Sequence, residues 1–361
     1  MNTEQLLADM TDEQKVGQLF LVRPDALDLS RTQQQINDAN APGVTELTDA
    51  MRETLTRYPV GGTVFFGKNI ESPDQLRTMT AELGSAGTIP LFIAVDEEGG
   101  QVARLANTPG FDLPRYESAA AVGAENDLAA AREMGFTIGT YLRDYGFNLD
   151  FAPVADLNTN PANLVIGKRA FGSDPDTVAA LVGAVCDGFE EAGIACPLKH
   201  FPGHGDTADD THTGSAVIHK TMEELKSCEL VPFARNLEKA PLIMAAHIAV
   251  PEVTGNDTPA SLSEPILTGL LRQELGFSGV IVTDSLSMQA ITDHYTPGEA
   301  AVQAILAGAD ILLMPANLPE AFDAVNEAVQ DGTISRERLD ESVHRILVCK
   351  EKYDILTFDE R

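Results

Sequence analysis

The residues best suited to chemistry lie in the segment Leu198–His212, which reads LKHFPGHGDTADDTH. A short apolar run, Ala195–Leu198, leads into Lys199 and His200, and glycines, a proline, acids and further histidines follow. That composition is typical of neither a buried strand nor an amphipathic helix. Loops rich in glycine and proline that carry His, Asp and Lys are where rigid scaffolds place catalytic groups. We therefore interpret this segment as the centre of an active site.

Two units of the sequence have the residue types of a nucleophile and a proton donor. Asp284 follows the apolar run Val280–Thr283, and a carboxylate held at the end of a buried strand suits a nucleophile or a base. Asp210 precedes His212 by two residues, so that its carboxylate can orient the imidazole and stabilise the charged form. A histidine titrates near neutral pH and can give a proton in one step and take one in the next. A carboxylate nucleophile opposite a proton donor is the apparatus of retaining glycoside hydrolysis, here with histidine in place of one acid.

Other polar residues follow further apolar runs and are the kinds of donors and acceptors that bind sugar hydroxyls. These candidate binding residues are Asp96, Arg104, Arg169, Lys199 and His200. Parallel strands in a barrel present their carboxyl ends to one rim, where barrel enzymes carry their catalytic residues. We therefore expect these side chains to converge on Asp284.

The elements that must position these residues alternate along the chain. Eight apolar runs predict strands, at Gln18–Val22, Thr63–Phe66, Leu91–Val95, Asn148–Val154, Ala195–Leu198, Leu242–Ala246, Val280–Thr283 and Asp310–Met314. Helices are predicted at Pro73–Leu83, Ser118–Asp144, Thr177–Ala192, Thr221–Leu237, Pro265–Leu275, Gly298–Ala307, Pro319–Gln330 and Arg336–Tyr353. This alternation predicts an α/β fold, a single-domain (β/α)8 TIM-type barrel over residues 1–361, with a doubly wound sheet as the alternative.

Composition and charge exclude several classes of function. The net charge of −30 argues against binding to nucleic acid or to an anionic membrane surface. No apolar run approaches the roughly 18 residues that a membrane span requires, and the N-terminal residues lack the pattern of a signal peptide, so that we expect a cytoplasmic protein. The G-x-G-x-x-G and phosphate-loop motifs are absent, and the four cysteines form no C-x-x-C pair. We expect no cofactor and no metal.

The central motif resembles that of a known family. Residues 199–205 read KHFPGHG and are followed by Asp210-Thr211-His212, which resembles the signature of bacterial β-N-acetylglucosaminidases of glycoside hydrolase family 3, K-H-F-P-G-H-G and then D-S-H. The resemblance extends to Asp96–Gly100 with Arg104, to Ile166–Gly172 and to the TDSLSM block around Asp284. It covers the chain from about Val16 to Met314, in family order.

The resemblance implies a role for each candidate residue. It implies that Asp284 is the nucleophile, His212 the acid/base and Asp210 its orienting partner. It places Asp96, Arg104, Arg169, Lys199 and His200 around the terminal sugar. We expect His204 to structure its loop and His247 to line the pocket. The implied substrate is a terminal, non-reducing β-linked N-acetylglucosamine, from muropeptides of the cell wall or from chitooligosaccharides.

The sequence departs from the family pattern at Thr211 for serine, at Ala170 where serine is common, and at Ser285 after the nucleophile. None of these departures removes a titrating group. From the length of the sequence we expect no additional C-terminal domain of the kind that supplies the acid/base in the β-glucosidases of the family. This favours the histidine version of the mechanism.

Three other functions stay open at this stage. A phosphorylase would use phosphate where a hydrolase uses water, on the same scaffold. A metal-dependent hydrolase would use the histidines and aspartates at the strand ends as zinc ligands, although no H-x-H lies at a strand end. A non-catalytic sugar-binding protein would be expected to have lost Asp284 or His212, and both are present.

Overall fold

A computed structural model of the chain describes residues 2–207 and 216–358. Within these ranges there are twelve strands. They are β1 (Phe20–Val22), β2 (Gly62–Phe65), β3 (Phe92–Val95), β4 (Glu97–Gly99), β5 (Val102–Ala103), β6 (Leu149–Asp150), β7 (Pro197–Phe201), β8 (Ala216–Val217), β9 (Leu242–Ala245), β10 (Ile248–Ala249), β11 (Val280–Thr283) and β12 (Leu312–Leu313).

The same ranges contain fifteen α-helices and a π-helix, Pro265–Glu274. The α-helices are α1 (Thr3–Asp9), α2 (Asp12–Gln18), α3 (Gln33–Asn37), α4 (Asp49–Arg57), α5 (Pro73–Gly84), α6 (Ala119–Glu125), α7 (Leu128–Asp144), α8 (Pro175–Ala192), α9 (Met222–Ser227), α10 (Val231–Ala234), α11 (Pro251–Thr254), α12 (Gln289–Thr292), α13 (Pro297–Ala307), α14 (Leu318–Gln330) and α15 (Arg336–Lys352).

Eight of the strands form two parallel sheets. The larger sheet has the order β12-β1-β2-β3-β6 and the smaller one β11-β9-β7. Isolated bridges join them at both edges, Leu149 with Ala195 between β6 and the residues before β7, and Val282 with Ile311 between β11 and the residues before β12. The predicted α/β class is confirmed. We expected one continuous barrel of paired strands. The parallel strands instead form two sheets that are joined by isolated bridges.

The strands are buried because their side chains are apolar on both faces. All residues of β2, β3, β9 and β11 are buried, as expected of parallel strands covered by helices on one side and by core side chains on the other. Each of the eight predicted runs contains or overlaps one of the eight parallel strands. The prediction extended the first run to Gln18, which instead ends helix α2.

Two predicted helices are each divided in two. The run Ser118–Asp144 breaks at Asn126, which has a left-handed φ of 48°, and Asp127 then caps α7 by accepting hydrogen bonds from its first amides. Asparagine adopts this conformation more readily than most residues, so it ends a helix as glycine does. The run Thr221–Leu237 ends at Ser227 and resumes at Val231.

A hairpin that the sequence analysis did not predict follows β3. Strands β4 and β5 pair antiparallel, and the buried carboxylate of Glu97 accepts hydrogen bonds from the amides of Leu105 and Ala106 at 2.8 and 2.9 Å. The hydroxyl of Tyr141 donates to the same carboxylate at 2.9 Å. Burial raises the pKa of Glu97 despite these bonds. The hairpin therefore fixes the chain between Asp96 and Arg104.

At the amino ends of the strands, two buried charges tie α15 to the sheets. The ammonium of Lys350 donates to Gln18 Oε1 at 2.7 Å and to the carbonyl of Gly61 at 2.9 Å, and burial lowers the pKa of Lys350 to about 7. The carboxylate of Asp310, just before β12, accepts a hydrogen bond from Ser342 Oγ at 2.6 Å. Among the described residues, no helix is both long and apolar enough to cross a lipid bilayer.

Candidate active site

A cavity of about 720 Å³ opens at the carboxyl ends of the parallel strands. Six residues singled out from the sequence line it, namely Asp96, Arg104, Arg169, Lys199, His200 and Asp284. Asp96 directly follows β3, Asp284 directly follows β11, and Lys199 lies in β7. The shared direction of the strands therefore explains why residues distant in sequence meet here.

Lys199 is the centre of an ion-pair network on one wall of this cavity. Its Nζ lies 2.9 Å from Asp96 Oδ1 and 2.6 Å from Glu98 Oε1. Arg169 donates two hydrogen bonds to Glu98, from Nε at 2.8 Å and from Nη2 at 2.7 Å. Burial alone would raise the pKa of Glu98, but the charges of Lys199 and Arg169 hold it far below its ordinary value. The wall thus presents fixed charged groups of both signs, which suits the binding of sugar hydroxyls.

Arg104 is held less tightly than Arg169. Its Nη2 lies 3.7 Å from Asp96 Oδ2, beyond hydrogen-bonding distance, and its guanidinium lies 5.2 Å from the centroid of the Phe66 ring. Its Nε is buried without a hydrogen-bond partner among the described residues. Arg104 therefore keeps donor capacity for a ligand.

Asp284 has an environment that favours its ionised form. Its backbone amide donates to the carbonyl of Ala245 at 2.8 Å, and Oδ1 accepts from the amide of Ser285 at 2.7 Å. Burial would raise the pKa of Asp284, but attraction to the imidazoles of His247 and His200 outweighs it. The Ser285 hydrogen bond and Lys199 act in the same direction, so the pKa lies below its ordinary value. A carboxylate in this state can act as a nucleophile.

His200 is oriented by a buried carboxylate. Its Nδ1 lies 2.7 Å from Asp156 Oδ2, and Asp156 also accepts from the backbone amide of His204 at 2.6 Å. Burial opposes ionisation of Asp156, yet its contacts with His200 and His204 lower its pKa. Because Nδ1 is taken up by Asp156, Nε2 is the ring nitrogen of His200 left for a ligand.

The other two histidines of the sequence analysis have different positions. His204 lines the cavity, and its surroundings are tied down by Asn163 Nδ2, which donates to the His204 carbonyl at 2.8 Å. Burial lowers the pKa of His204. His247 was expected to line the pocket and does not: it is buried behind Asp284, with Nε2 donating to the carbonyl of Ser285 at 2.8 Å. That hydrogen bond joins His247 to the turn after β11.

Asp210 and His212 lie in residues 208–215, outside the described residues. Their pairing and their roles stay predictions. On either side of this segment, Lys220 Nζ lies 3.3 Å from Asp206 Oδ2 and also forms an ion pair with Glu229. Thr159 Oγ1 donates to Asp206 Oδ1 at 3.2 Å.

Sequence reasoning gave no role to four residues that help to build the site. Glu98 and Asp156 hold Arg169 and His200 by hydrogen bonds. Arg23 and Phe66 directly follow β1 and β2 and line the cavity. The signal that could have found Arg23 is its place as the first residue after a buried strand, which is shared by Asp96 and Asp284. Phe66 was counted in the predicted strand Thr63–Phe66.

The described part of the chain contains no group of three or more His, Cys, Asp or Glu side chains placed to hold a metal ion. The carboxylates of the cavity wall are paired with lysine, arginine and histidine instead. The groups in place can therefore bind a neutral polar ligand, stabilise positive and negative charge, and supply a carboxylate nucleophile.

Comparisons with known proteins agree with this chemistry. A sequence profile of the Glycosyl hydrolase family 3 N terminal domain matches residues 11–349. Beta-hexosaminidase A of Pseudoalteromonas piscicida is 35% identical over 335 residues, which are 86% of this chain and 56% of that protein. Beta-hexosaminidase LpqI of Mycobacterium tuberculosis is 36% identical over 317 residues, 85% of this chain and 80% of that protein.

A solved structure is similar over almost the whole chain. It is that of a glycoside hydrolase family 3 β-N-acetylglucosaminidase from Paenibacillus sp. str. FPU-7, with a TM-score of 0.87 and 37% sequence identity. The similarity covers 98% of this chain and 64% of the Paenibacillus chain. The chain thus spans less than two thirds of the Pseudoalteromonas and Paenibacillus proteins, at 56% and 64% of their lengths.

Proposed function

The chain belongs to glycosyl hydrolase family 3, and from this premise we propose that it is a retaining exo-β-N-acetylglucosaminidase. It would remove a terminal, non-reducing β-linked N-acetylglucosamine. The observation that carries the proposal is the position of Asp284 in a cavity whose wall bears Lys199, Asp96 and Arg169, and its lowered pKa favours the carboxylate that a nucleophile requires. The relatives named above as β-hexosaminidases and the Paenibacillus β-N-acetylglucosaminidase support the same activity.

In the first step of the proposed reaction, a carboxylate oxygen of Asp284 attacks C1 of the sugar and forms an ester bond. The bond between C1 and the glycosidic oxygen breaks, and the imidazolium of His212 gives its proton to that oxygen, so that the leaving group departs as an alcohol. Asp210 stabilises the charged imidazole before the transfer. Asp96, Arg104, Arg169, Lys199 and His200 hold the sugar hydroxyls.

In the second step, neutral His212 takes a proton from water, and the oxygen of that water attacks C1. The ester bond breaks, Asp284 returns to a carboxylate, and the sugar leaves with its original β configuration. An imidazole serves here as a base without negative charge. The site would therefore also admit an anionic acceptor, and phosphate in place of water would give the phosphorylase reaction.

The substrates that we propose are peptidoglycan-derived muropeptides or chitooligosaccharides. Both end in β-linked N-acetylglucosamine, which agrees with the activities in the names of the relatives. We propose no cofactor, since a carboxylate and a histidine suffice for both steps.

We further infer that the two parallel sheets are arcs of one closed (β/α)8 barrel within a single domain. The inference is supported by the bridges at both edges and by backbone hydrogen bonds across them, from Asp150 N to Ala195 O and from Thr283 N to Ile311 O, each 3.0 Å. In such a ring the order is β12-β1-β2-β3-β6-β7-β9-β11, and β11 then meets β12.

Covalent trapping tests the proposed function. A 5-fluoro-β-N-acetylglucosaminyl fluoride should form a stable ester that peptide mass spectrometry places on Asp284, and Asp284→Asn should abolish labelling. Labelling at another residue would overturn the assignment. A parallel incubation with an aryl N-acetylglucosaminide and phosphate should yield free N-acetylglucosamine, whereas abundant N-acetylglucosamine-1-phosphate would make the protein a phosphorylase.

A further inference from the structure

One wall of the cavity carries an arginine that forms no ion pair with a carboxylate of the described residues. Arg23 lines the cavity, and its Nη1 donates to the carbonyl of Ile36 at 2.8 Å. Its Nε lies 3.2 Å from Met314 Sδ, and its guanidinium lies 4.3 Å from the centroid of the Phe66 ring. Within residues 2–207 and 216–358, no carboxylate oxygen lies within the 4.0 Å of an ion pair to Arg23. Arg23 is therefore held in place entirely by neutral groups.

A second arginine adds to this charge. Arg104 lies over the same Phe66 ring, and within the described ranges its only carboxylate contact is the 3.7 Å separation from Asp96, which is already paired with Lys199. Burial lowers the pKa of Arg23 and the proximity of Arg104 adds to this effect, although attraction to Asp25 and Asp96 acts in the opposite direction. The two guanidiniums thus repel each other across one aromatic ring.

Asp25 is the acid that attracts Arg23 most strongly, but its carboxylate already has other partners. Asp25 is fully buried and accepts hydrogen bonds from the amide of Val44 at 3.1 Å and from Asn69 Nδ2 at 2.8 Å. Lys68 and Arg31 lie 3.6 and 3.4 Å from the same carboxylate. Asp25 therefore anchors the loop after β1, and among the described residues it forms its ion pairs with Lys68 and Arg31 and none with Arg23.

A partly buried cation without a counter-ion is unfavourable, because the attraction that would offset its lost hydration is missing. Here the cation is also crowded by a second one, in a chain whose net charge is −30 and which has acids in excess. We propose that Arg23, on Phe66 and beside Arg104, is a subsite for an oxyanion substituent of the substrate. A guanidinium binds carboxylate, sulfate and phosphate through paired hydrogen bonds, so one subsite serves all three.

Arg23 lines the cavity in which the substrate would bind, so the oxyanion that it contacts would be a group of the substrate itself. In the proposed ring of strands, β1 lies between β12 and β2 and across the cavity from β7, which carries Lys199 and His200. A sugar bound to Lys199 would face Arg23 with its own substituents or with its leaving group. This inference rests on the proposed function, which supplies the sugar, and its test separates these two sources of the anion.

The test compares three aryl β-N-acetylglucosaminides: the neutral 4-nitrophenyl glycoside, its 6-O-sulfate and a carboxyphenyl glycoside. The measured quantity is the ratio of kcat/KM for each anionic substrate to that for the neutral one. We expect Arg23→Met to lower this ratio about tenfold or more for one of the anionic substrates, and Arg23→Lys to restore part of it. The substrate affected tells whether the anion belongs to the sugar or to the leaving group.

Arg77→Met is the matched control, because Arg77 also stacks on an aromatic ring, 4.2 Å from the centroid of Tyr145, and does not line the cavity. It should leave both ratios unchanged. Unchanged ratios in Arg23→Met for both anionic substrates would overturn the proposal. If Arg23→Met lost its fold, seen as a lowered Tm, the ratios of kcat/KM would be compared between the unmodified enzyme and Arg23→Lys instead.

Binding measured without turnover separates this proposal from the proposed function. In the Asp284→Asn background, calorimetry should show the affected anionic ligand, N-acetylglucosamine 6-sulfate or the carboxyphenyl glycoside, binding at least tenfold more tightly when Arg23 is present than when it is Met. If the enzyme cleaved no aryl N-acetylglucosaminide but this difference persisted, the activity would be wrong and the subsite right. No difference for either ligand would contradict the subsite whatever the activity.

Discussion

At the scale of single residues, two buried aspartates at strand ends have pKa values shifted in opposite directions. The pKa of Asp284 lies below its ordinary value because imidazoles, an amide and a lysine surround the carboxylate. Burial raises the pKa of Asp150 well above its ordinary value: Oδ1 accepts only the amide of Glu97, at 2.8 Å, and Oδ2 has no partner among the described residues. Burial alone therefore does not decide whether a carboxylate is ionised, because the polar groups around each carboxylate set the direction of its pKa shift.

The first prediction concerns the acid/base role of His212. We expect His212→Ala to lower kcat/KM by at least about 100-fold for substrates with poor leaving groups and much less for activated aryl glycosides, because only the former need protonation. The measurement is a series of glycosides of increasing leaving-group pKa. Asp210→Asn is the matched variant: it should lower activity less and move the upper limb of the pH profile down, because the imidazolium loses its charged partner. Equal losses across the series in His212→Ala would contradict the role.

At the scale of elements, close contacts between backbones fix the loops that carry site residues. Helix α6 packs against the turn around Arg169, and a Cβ at Gly123 would lie 1.6 Å from the carbonyl oxygen of Phe171. No side chain fits there without moving the helix or the turn. Glycine at this position therefore helps to place the Arg169 guanidinium on Glu98.

The second prediction is that Gly123→Ala destabilises the protein and weakens substrate binding. Forcing a methyl group into a packed contact costs about 1–3 kcal/mol, and a displaced Arg169 should raise KM more than it lowers kcat. Urea unfolding and steady-state kinetics measure the two effects. Gly84→Ala is the control, because a Cβ at Gly84, also in a helix, would meet no atom within 4 Å. A raised KM without any loss of stability, or neither effect, would contradict the argument.

The elements also show how far the sequence could predict the fold. The strand at Val280–Thr283 was predicted with its observed bounds because apolar runs bounded by polar residues mark buried strands. The hairpin of β4 and β5 was missed because its strands are only three and two residues long and β4 is polar, and because a buried glutamate holds the turn that follows. The roles of Arg23 and Phe66 were missed because they depend on which strands become neighbours. That information is absent from local sequence patterns.

At the scale of the whole molecule, the end opposite the cavity is held by charged groups of α15. Lys350 reaches the residues before β1 and β2, and Asp310 joins the residues before β12 to the same helix. Helix α15 thus connects the residues before β12 with the residues before β1. A lysine in this position is buried with two oxygen acceptors, and burial favours its neutral form.

The third prediction is a rise of stability with pH that depends on Lys350. Its pKa is about 7 in the folded protein and 10.5 ordinarily, so between these values the unfolded chain binds more protons, and the free energy of unfolding rises with pH. The slope for one group is at most about 1.4 kcal/mol per pH unit. We expect Lys350→Met to remove this rise, measured by denaturant unfolding from pH 7 to pH 10. Lys352→Met, at a half-exposed position of the same helix, should keep it; equal slopes in both variants would contradict the prediction.

The division of the strands into two sheets also has a consequence for amide hydrogen exchange. Lys199 and His200 lie in the three-stranded sheet and Asp284 directly follows one of its strands, whereas Arg23 and Asp96 directly follow strands of the five-stranded sheet. Isolated bridges and backbone hydrogen bonds at two edges join the sheets. The Lys199–Asp96 ion pair spans this division. A ligand held by both side chains links the sheets, so it should slow deuterium uptake at the seam amides more than at amides in the middle of either sheet. Deuterium uptake at these backbone amides would then report whether a ligand occupies the cavity.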